Sequence, residues 1–355
     1  MKLATAESFH PWVISIVGPA FGSSVELAAN PRDAAWQAWT QALLKALRTR
    51  WRVGVNILNP VEPEPNILQK RSPYAEDDLL VIFGEVKDPP LRLICLDLEP
   101  QASTRLHDKA EPQTWQAVIS PEGLPQTDPP HFLRADIQGL VSAIAEALAA
   151  HVAHVPLIGL VLAGGYSRRM QQDKAQLNYH GQSQLAHSYA LLSNVCSQVL
   201  ISCREDQAEK DWPLDPALPA LPWSYDRFHN LGPVGGILTA MMTHPHAAFL
   251  VIAVDLPWLD LATLSHLIQA RRPLGPATAF LSRSDALPEP LCAIYEPRMR
   301  ERLFGFWGLG MLCPRKALIH SATHLLALPE AFRLDNANTP ADFEAISKAL
   351  SQGND

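Results

Sequence analysis

Apolar runs of strand length alternate with helical patterns in the second half of the chain, and this alternation restricts the fold more than any other feature. LIGLVLAGG begins at Leu157, QVLIS at Gln198 and AAFLVIAVD at Ala247. One helical pattern lies around Gln184–Ser193 and another near residues 237–242. Apolar strands that are separated by helices favour a mostly parallel α/β sheet, with ligands at the carboxyl ends of the strands.

The first half of the chain shows the same alternation. VISIVG (residues 13–18), RVGVNIL, DDLLVIFGEV and LRLICLDLE are predicted as strands, and PEGLPQTDPPHF as a proline-rich loop. One helix is predicted to begin at Pro31 with Asn30 as its N-cap, and a second after Asp136. Their apolar faces are formed by Trp36, Trp39, Leu43, Leu44 and Leu47, and by Ile137, Leu140, Val141, Ile144 and Leu148. We place a domain boundary between about 150 and 156, which gives a smaller α/β domain over residues 1–152 and a second domain over 156–355.

The composition is that of an ordinary globular protein, with 47% hydrophobic and 18% charged residues in a chain of 355. A net charge of −7 argues against a broad surface for nucleic acid or for an anionic membrane, so any anion-binding site has to be local. The five cysteines have no C-x-x-C pairing and no metal-ligand spacing, which favours thiols in a reducing compartment. No apolar run approaches the roughly 18 residues of a membrane span. The N-terminus has no usable signal segment, and we expect a cytoplasmic protein.

A glycine-rich basic loop follows the apolar run that begins at Leu157. Gly164 and Gly165 end the run, and Arg168, Arg169 and Lys174 follow within a few residues. Glycines let the backbone turn and bring N–H groups close to a ligand, and cations neutralise phosphate charge. The loop is therefore a candidate polyphosphate site, although a solvated basic turn has the same composition. It matches neither a Walker P-loop nor a dinucleotide fingerprint.

The order of motifs in the second half resembles that of one enzyme family. LAGGYSRRMQQDKAQL resembles the signature L-A-G-G-x-S-x-R-M-G-x-D-K-x-x-L of the molybdenum cofactor guanylyltransferase (MobA) family. The matching positions are Leu162, Ala163, Gly164, Gly165, Ser167, Arg169, Met170, Asp173, Lys174 and Leu177. GPVGGI, VDLP, PEPLCAIY and DNANTPADFEAI resemble later motifs of that family in the same order. The resemblance implies a Rossmann-like nucleotidyltransferase domain.

The resemblance also implies a reaction, the transfer of GMP from GTP to the phosphate of molybdopterin with release of pyrophosphate. A phosphate monoester is already anionic at neutral pH, so no general base is needed and the protein has to position two anions in line. Lys174 and Arg169 are our candidates for the triphosphate and the departing pyrophosphate. The backbone of residues 162–165 is implied beside the purine. Because related cytidylyltransferases have L-A-A-G there, Gly164 favours GTP over CTP.

Two aspartates are candidates at the phosphate end. Asp255 directly follows the run FLVIAV, so its carboxylate is expected at the end of a strand, where it suits Mg²⁺ better than a simple turn cap. Asp226 corresponds to a family aspartate and is implied to contact nucleotide or metal, but a turn-forming aspartate has the same pattern. The resemblance implies that Asn336 and Asn338 lie on the pterin side.

Two positions depart from the family pattern. Gln171 stands where the family has glycine, and a side chain there is costly if the backbone needs φ > 0. Cys203 stands where the family has an asparagine near the guanine or ribose, and a thiol replaces a carboxamide poorly. These departures keep two alternatives open. One is a cytidylyl- or sugar-nucleotide transferase of the same fold, and the other is a non-catalytic nucleotide-binding regulator.

The first domain faintly resembles the MobB adaptor family. Its segment GPAFGSSVE has no lysine and has the wrong glycine spacing for a P-loop, so we predict no GTP hydrolysis there. An unrelated α/β docking domain is the alternative. Either domain would serve to dock molybdenum-cofactor biosynthesis proteins or an acceptor molybdoenzyme.

Overall fold

The structure is a computed structural model of the full chain. It describes residues 12–17, 31–50, 53–57, 79–83, 93–97, 115–120, 131–133, 136–165, 173–204, 207, 222–228 and 230–352. The chain divides into two compact units, Met1–His154 and Val155–Asp355. No helix among these residues is both long and apolar enough to cross a membrane.

The first unit contains a parallel sheet whose six described strands are arranged in the order β2-β3-β1-β4-β5-β6. The strands are β1 (Trp12–Val17), β2 (Val53–Ile57), β3 (Leu79–Phe83), β4 (Leu93–Asp97), β5 (Trp115–Ser120) and β6 (His131–Leu133). Parallel order agrees with the apolar runs of β1, β3 and β4, because strands covered on both faces need apolar residues throughout. The sequence prediction omitted β5, and it was wrong at the end of the proline-rich loop, where His131 begins β6.

The described residues of this unit include two helices, α1 (Pro31–Arg48) and α2 (Ile137–Ala153). Trp39, Leu43, Leu44 and Leu47 of α1 are buried, and so are Leu140, Val141, Ile144 and Leu148 of α2. Asp136 caps α2, as predicted, because its Oδ1 accepts a hydrogen bond from the Gly139 N–H at 2.9 Å. The predicted cap Asn30 lies outside the described residues.

The second unit contains a sheet whose seven described strands are arranged in the order β13-β11-β12-β10-β7-β8-β9. Its strands are β7 (Leu157–Leu162), β8 (Gln198–Cys203), β9 (Trp223–Tyr225), β10 (Ala248–Ala253), β11 (Ala277–Leu281), β12 (Pro288–Tyr295) and β13 (His324–Leu326). β12 runs antiparallel to both of its neighbours, and the other pairs are parallel. The predicted mostly parallel α/β fold is therefore confirmed.

Helices cover both faces of this sheet. They are α3 (Gln184–Ser193), α4 (Pro233–Thr243), α5 (Leu261–Gln269), α6 (Met299–Gly308), α7 (Pro314–Ile319) and α8 (Pro340–Gln352), with a short 3-10 helix at Lys174–Gln176. Alternate residues of β10 enter opposite core clusters, since Leu250 and Ile252 lie in one and Phe249 and Val251 in the other. β10 is buried along its whole length for this reason.

The sheet reverses its strand order beside β7. From β7 the chain proceeds outward through β8 to β9, and it then returns to place β10 on the other side of β7. Open α/β sheets bind ligands in the crevice at such a switch point, outside the carboxyl ends of the strands. The glycine pair follows β7 and Asp255 follows β10, so the fold places both at this crevice.

Candidate functional site

The sheet pairing continues for one residue beyond β7. The Ala163 N–H donates to the Ser202 carbonyl at 2.9 Å on one side. On the other side the Val254 N–H donates to the Leu162 carbonyl at 3.2 Å. These bonds hold the start of the glycine pair level with the ends of β8 and β10, so side chains from all three strand ends lie around one crevice.

Lys174 is the centre of a polar cluster in this crevice. Its ammonium nitrogen lies 2.9 Å from Asp255 Oδ2 and 2.7 Å from Asn338 Oδ1. The side chains of Lys174 and Asp255 are only 16% and 21% exposed, so water screens their attraction incompletely. Asp173 caps the 3-10 helix that carries Lys174 by accepting a hydrogen bond from the Ala175 N–H at 3.1 Å. The structure thus brings together Lys174, Asp255 and Asn338, which the sequence analysis proposed as separate candidates.

The C-terminal segment reaches the crevice through its backbone. The Ala337 N–H donates to the Asp255 carbonyl at 3.2 Å, and the Ala337 side chain is buried, whereas Asn336 and Asn338 on either side of it are exposed. Asp342 Oδ2 accepts from the Asn338 N–H at 2.9 Å and from the Thr339 N–H at 2.8 Å. These bonds lower the pKa of Asp342. The turn that presents Asn338 to Lys174 is therefore fixed by the first turn of α8.

Asp226 lies on the β8 side of the crevice. Its Oδ1 accepts a hydrogen bond from Ser202 Oγ at 2.8 Å, and its N–H donates to the Cys203 carbonyl at 3.0 Å. A Cβ added to Gly236 would lie 2.2 Å from Ser202 Oγ and 3.2 Å from Asp226 Oδ1. Helix α4 therefore packs so closely on this pair that a side chain at position 236 would have to displace the Ser202 hydroxyl group.

Neither glycine after β7 needs its freedom for a left-handed conformation. Among the described residues, positive φ occurs at Gly181, Gly232 and Gly310, at Asn230 and at Ala286. A Cβ built on Gly165 has no atom within 4 Å, and one on Gly164 would make only ordinary contacts of 3.6 Å and more with Asp226 and Arg204. The glycines therefore leave open surface beside these two side chains.

Two further residues hold the glycine pair in place. Arg204 Nη1 donates to the Gly164 carbonyl, and Gln207 Nε2 donates to the Ala163 carbonyl at 3.3 Å. The sequence prediction missed both residues, and it also missed Ser202. Arg204 follows the predicted strand QVLIS closely enough for its position to have indicated a role, but Gln207 has no such signal.

Asp255 satisfies the main requirement for a cation ligand. Its Oδ1 is buried and has no hydrogen-bond partner among the described residues, and its Oδ2 faces Lys174. An unpartnered carboxylate oxygen is the ligand type that Mg²⁺ takes, and this ion keeps several of its own waters. The described residues contain no group of three or more His, Cys, Asp or Glu side chains placed to hold a metal. The fit is therefore to a hydrated ion shared with phosphate, and Asp255 would be its main protein ligand.

The backbone that follows Asp255 packs against two stacked histidines. The rings of His180 and His187 have centroids 3.7 Å apart, and His180 Nε2 lies 3.0 Å from the Pro257 carbonyl oxygen. Burial and the neighbouring His180 lower the pKa of His187 to about 4, although a hydrogen bond with the Leu259 backbone opposes the shift. His187 is therefore neutral near pH 7 and supports the loop.

Several predictions concern residues that these contacts do not reach. Arg169 and Gln171 lie outside the described residues. Cys203, which stands where the family has an asparagine near the guanine or ribose, has a side chain that is 1% exposed and packs in a core cluster. Neighbouring residues of a strand face opposite sides, and it is Ser202 that faces Asp226, so the effect of the thiol on nucleotide binding stays a prediction.

A mostly parallel α/β sheet whose switch point presents a glycine pair, a lysine and aspartates defines a nucleotide-binding domain of the nucleotidyltransferase class. The model of the MobA-like NTP transferase domain matches residues 159–320. A probable molybdenum cofactor guanylyltransferase of Rhodopirellula baltica is 32% identical over 200 residues, which are 54% of this chain and 92% of that protein. The chain belongs to the MobA-like NTP transferase family.

Two further comparisons give the extent of the similarity. A molybdenum cofactor biosynthesis bifunctional protein of Synechocystis sp. is 38% identical over 199 residues, so the chain spans only 56% of that relative's length. The crystal structure of molybdopterin-guanine dinucleotide biosynthesis protein A from Archaeoglobus fulgidus superposes with a TM-score of 0.45 and 22% identity. That superposition covers 55% of this chain and 99% of the other.

Proposed function

We propose that this protein transfers GMP from GTP to the phosphate of molybdopterin and releases pyrophosphate. The proposal is supported by the names of its relatives, one of them a probable molybdenum cofactor guanylyltransferase. Within the molecule, the supporting observation is the cluster of Lys174, Asp255 and Asn338 in the same crevice as the open glycine pair. A cation beside a carboxylate with an unpartnered oxygen suits a magnesium-bound triphosphate.

The residues of the cluster would act by placement and charge. Lys174 would neutralise oxygens of the triphosphate and of the departing pyrophosphate, because its ammonium group is held by two oxygens in a position with little screening. Asp255 would hold Mg²⁺, which supplies charge neutralisation across the phosphates when bound. Arg169, which lies outside the described residues, is our second cation for the phosphates. The monoester phosphate of the acceptor is anionic at neutral pH, so no residue has to remove a proton.

The base would lie against the backbone of residues 162–165. Gly164 has room for a Cβ in the folded chain, with its nearest contact at 3.6 Å, so the fold does not impose a glycine there. A planar base that stacks on this surface would require glycine at position 164, because an alanine methyl group there would occupy the space of the base. We therefore attribute the glycine to a bulky purine, and this favours GTP over CTP. Asp226 would face the same nucleotide, and Asn336 and Asn338 would face the pterin side.

Pyrophosphate release tests the proposal directly. The protein is incubated with Mg²⁺, molybdopterin and one nucleoside triphosphate at a time, and pyrophosphate and the dinucleotide product are both measured. We expect turnover with GTP, strong loss when Mg²⁺ is chelated, and slower turnover with CTP. Turnover with CTP alone would replace the proposal with a cytidylyltransferase. Tight GTP binding without product at high enzyme concentration would replace it with a nucleotide-binding regulator.

The first unit is proposed as the docking part of the chain. It has its own six-stranded parallel sheet and forms a separate compact unit, which is what a domain with a separate task requires. Its partner would be a molybdenum-cofactor biosynthesis protein or an acceptor molybdoenzyme. Sedimentation of the full chain with a cofactor-free molybdoenzyme tests this, and co-migration that is unchanged by GTP analogues would assign the contact to a surface outside the nucleotide crevice.

A further inference from the structure

Two backbone carbonyls after β7 are held by side chains instead of by the sheet. Sheet pairing ends with the Ala163 N–H, which donates to Ser202. The carbonyls of Ala163 and Gly164 lie beyond this point, and a buried carbonyl needs a donor. Gln207 Nε2 supplies one to Ala163 at 3.3 Å, and Arg204 Nη1 supplies one to Gly164.

The amide of Gln207 has only one suitable orientation. Its Oε1 accepts from the Arg204 N–H at 3.1 Å, so its Nε2 has to be the group that faces the Ala163 carbonyl. The Gln207 N–H also donates to the Arg204 carbonyl at 3.0 Å, so two hydrogen bonds join these two residues. Gln207 is 3% exposed, so water is a poor substitute for either bond.

This arrangement matters because the segment it holds contains two glycines. A glycine pair has much conformational freedom, and a binding surface made of backbone is effective only when that freedom is already removed. No side chain of Gly164 or Gly165 contributes packing, and a Cβ on Gly165 would meet nothing within 4 Å. The hydrogen bonds that Arg204 and Gln207 donate to the two carbonyls therefore take the place of side-chain packing.

We propose that Gln207 is a positioning residue for the nucleotide base, acting through the Ala163 carbonyl and through Arg204. This inference rests on the proposed function, in which residues 162–165 lie beside the base. Gln207 fixes the direction of the backbone groups that meet the base, and it has no part in holding the phosphates, which lie toward Lys174. Replacement of Gln207 therefore weakens the binding of nucleoside triphosphates and leaves the binding of inorganic tripolyphosphate unchanged.

The test compares two ligands on the full chain by calorimetry, GTP and inorganic tripolyphosphate, each with Mg²⁺. Gln207→Glu keeps the acceptor for Arg204, removes the donor to Ala163 and places a carboxylate oxygen against that carbonyl. We expect the Kd for GTP to rise about tenfold, the equivalent of one lost buried hydrogen bond. The Kd for tripolyphosphate should stay within about twofold, because the base contributes nothing to it. The ratio of the two constants is the readout that a general loss of structure would not change.

Gln184→Glu is the matched control. Gln184 is also buried, at 1% exposure, and its Nε2 donates to the Leu256 carbonyl at the same 3.3 Å. The same substitution there should lower both affinities to the same extent through its new charge near Asp255, and it should leave their ratio unchanged. Gln207→Met serves as a second variant in case the buried carboxylate prevents folding. In the wild type, GTP should slow hydrogen exchange of the peptide that covers residues 162–165, whereas tripolyphosphate should not.

Each outcome decides the proposal. Equal weakening of GTP and tripolyphosphate by the Gln207 variants, or no weakening of either, overturns it. If neither variant folds, equal protection of residues 162–165 by both ligands overturns it. If the wild type prefers CTP, the proposed function fails, and the positioning role is then judged by the same ratio measured with CTP. If no nucleotide binds more tightly than tripolyphosphate, there is no base contribution and the positioning role is refuted as well.

Discussion

The contact between Lys174 and Asp255 offers the most direct test of the site. Lys174→Met removes the cation and keeps the length of the side chain, and Asp255→Asn removes the carboxylate charge and keeps its shape. We expect kcat/KM for GTP to fall at least 100-fold for Lys174→Met, which corresponds to about 2.7 kcal/mol of transition-state stabilisation. Lys174→Arg keeps the charge and should retain part of this activity, although a guanidinium does not reproduce an ammonium group held by two oxygens.

The same pair should be coupled in stability. Two unit charges about 4 Å apart attract by roughly 4 kcal/mol at an effective dielectric constant near 20, and desolvation offsets part of this. The Lys174 and Asp255 side chains retain 16% and 21% of their exposure, so solvent screens the pair further. We therefore expect a coupling energy of about 1–2 kcal/mol between Lys174→Met and Asp255→Asn in a double-mutant cycle.

The cycle is measured by urea unfolding without nucleotide, and kcat/KM is measured by pyrophosphate release. Lys174→Met should destabilise the protein more than Asp255→Asn, because it leaves a buried carboxylate whose other oxygen has no partner among the described residues. In the Asp255→Asn variant the ammonium group still has the Asn338 oxygen. A coupling energy below about 0.3 kcal/mol would refute the electrostatic argument, given the usual error of additivity. A Lys174→Met enzyme with activity within threefold of the wild type, on the order of 0.6 kcal/mol, would refute the catalytic one.

Further substitutions test ion pairs, packing and titration in the second unit. Glu296→Gln should cost about 3–5 kcal/mol of unfolding free energy, because the carboxylate is fully buried in a two-bond contact with an arginine. Asp335→Ala, in an ion pair that is more than half exposed, should cost under about 1 kcal/mol. Gly236→Ala should cost about 1–3 kcal/mol through its clash with Ser202 Oγ, and adding Ser202→Ala should restore much of it; an unrestored double variant contradicts the clash. The free energy of unfolding should also fall as the pH drops from about 6.5 to about 4, because the unfolded chain protonates His187 at a higher pH than the folded chain does. His187→Phe should make the unfolding free energy, measured by urea titration, less dependent on pH in this range. An unchanged pH dependence would exclude His187 as its source.

Sequence reasoning reached the fold class because it depends on local properties. Apolar runs of strand length identify strands that are covered on both faces, and β7, β8 and β10 follow that rule. The antiparallel direction of β12 could not be predicted in the same way, because an apolar run identifies a buried strand without giving its direction. Strand direction depends on the route of the chain between strands, and that route is a tertiary property.

The same distinction between local and tertiary properties applies to the candidate site residues. The sequence by itself determined that Lys174 follows a glycine loop and that Asp255 ends a buried strand, since both are statements about neighbouring residues. Only the tertiary structure placed Lys174 in contact with Asp255, 81 positions away, and with Asn338, 164 positions away.

The residues that sequence reasoning missed have the same cause. Gln207 has no motif of its own, and it gains a role only because it lies beside the two carbonyls that follow β7, to which Gln207 and Arg204 donate. Cys203 is in the core and Ser202 is at the site because the pairing of β8 with β7 sets which side of the strand faces Asp226. A linear pattern records which residues are adjacent along the chain, whereas a site is built from hydrogen bonds and charges whose strength depends on distance in space.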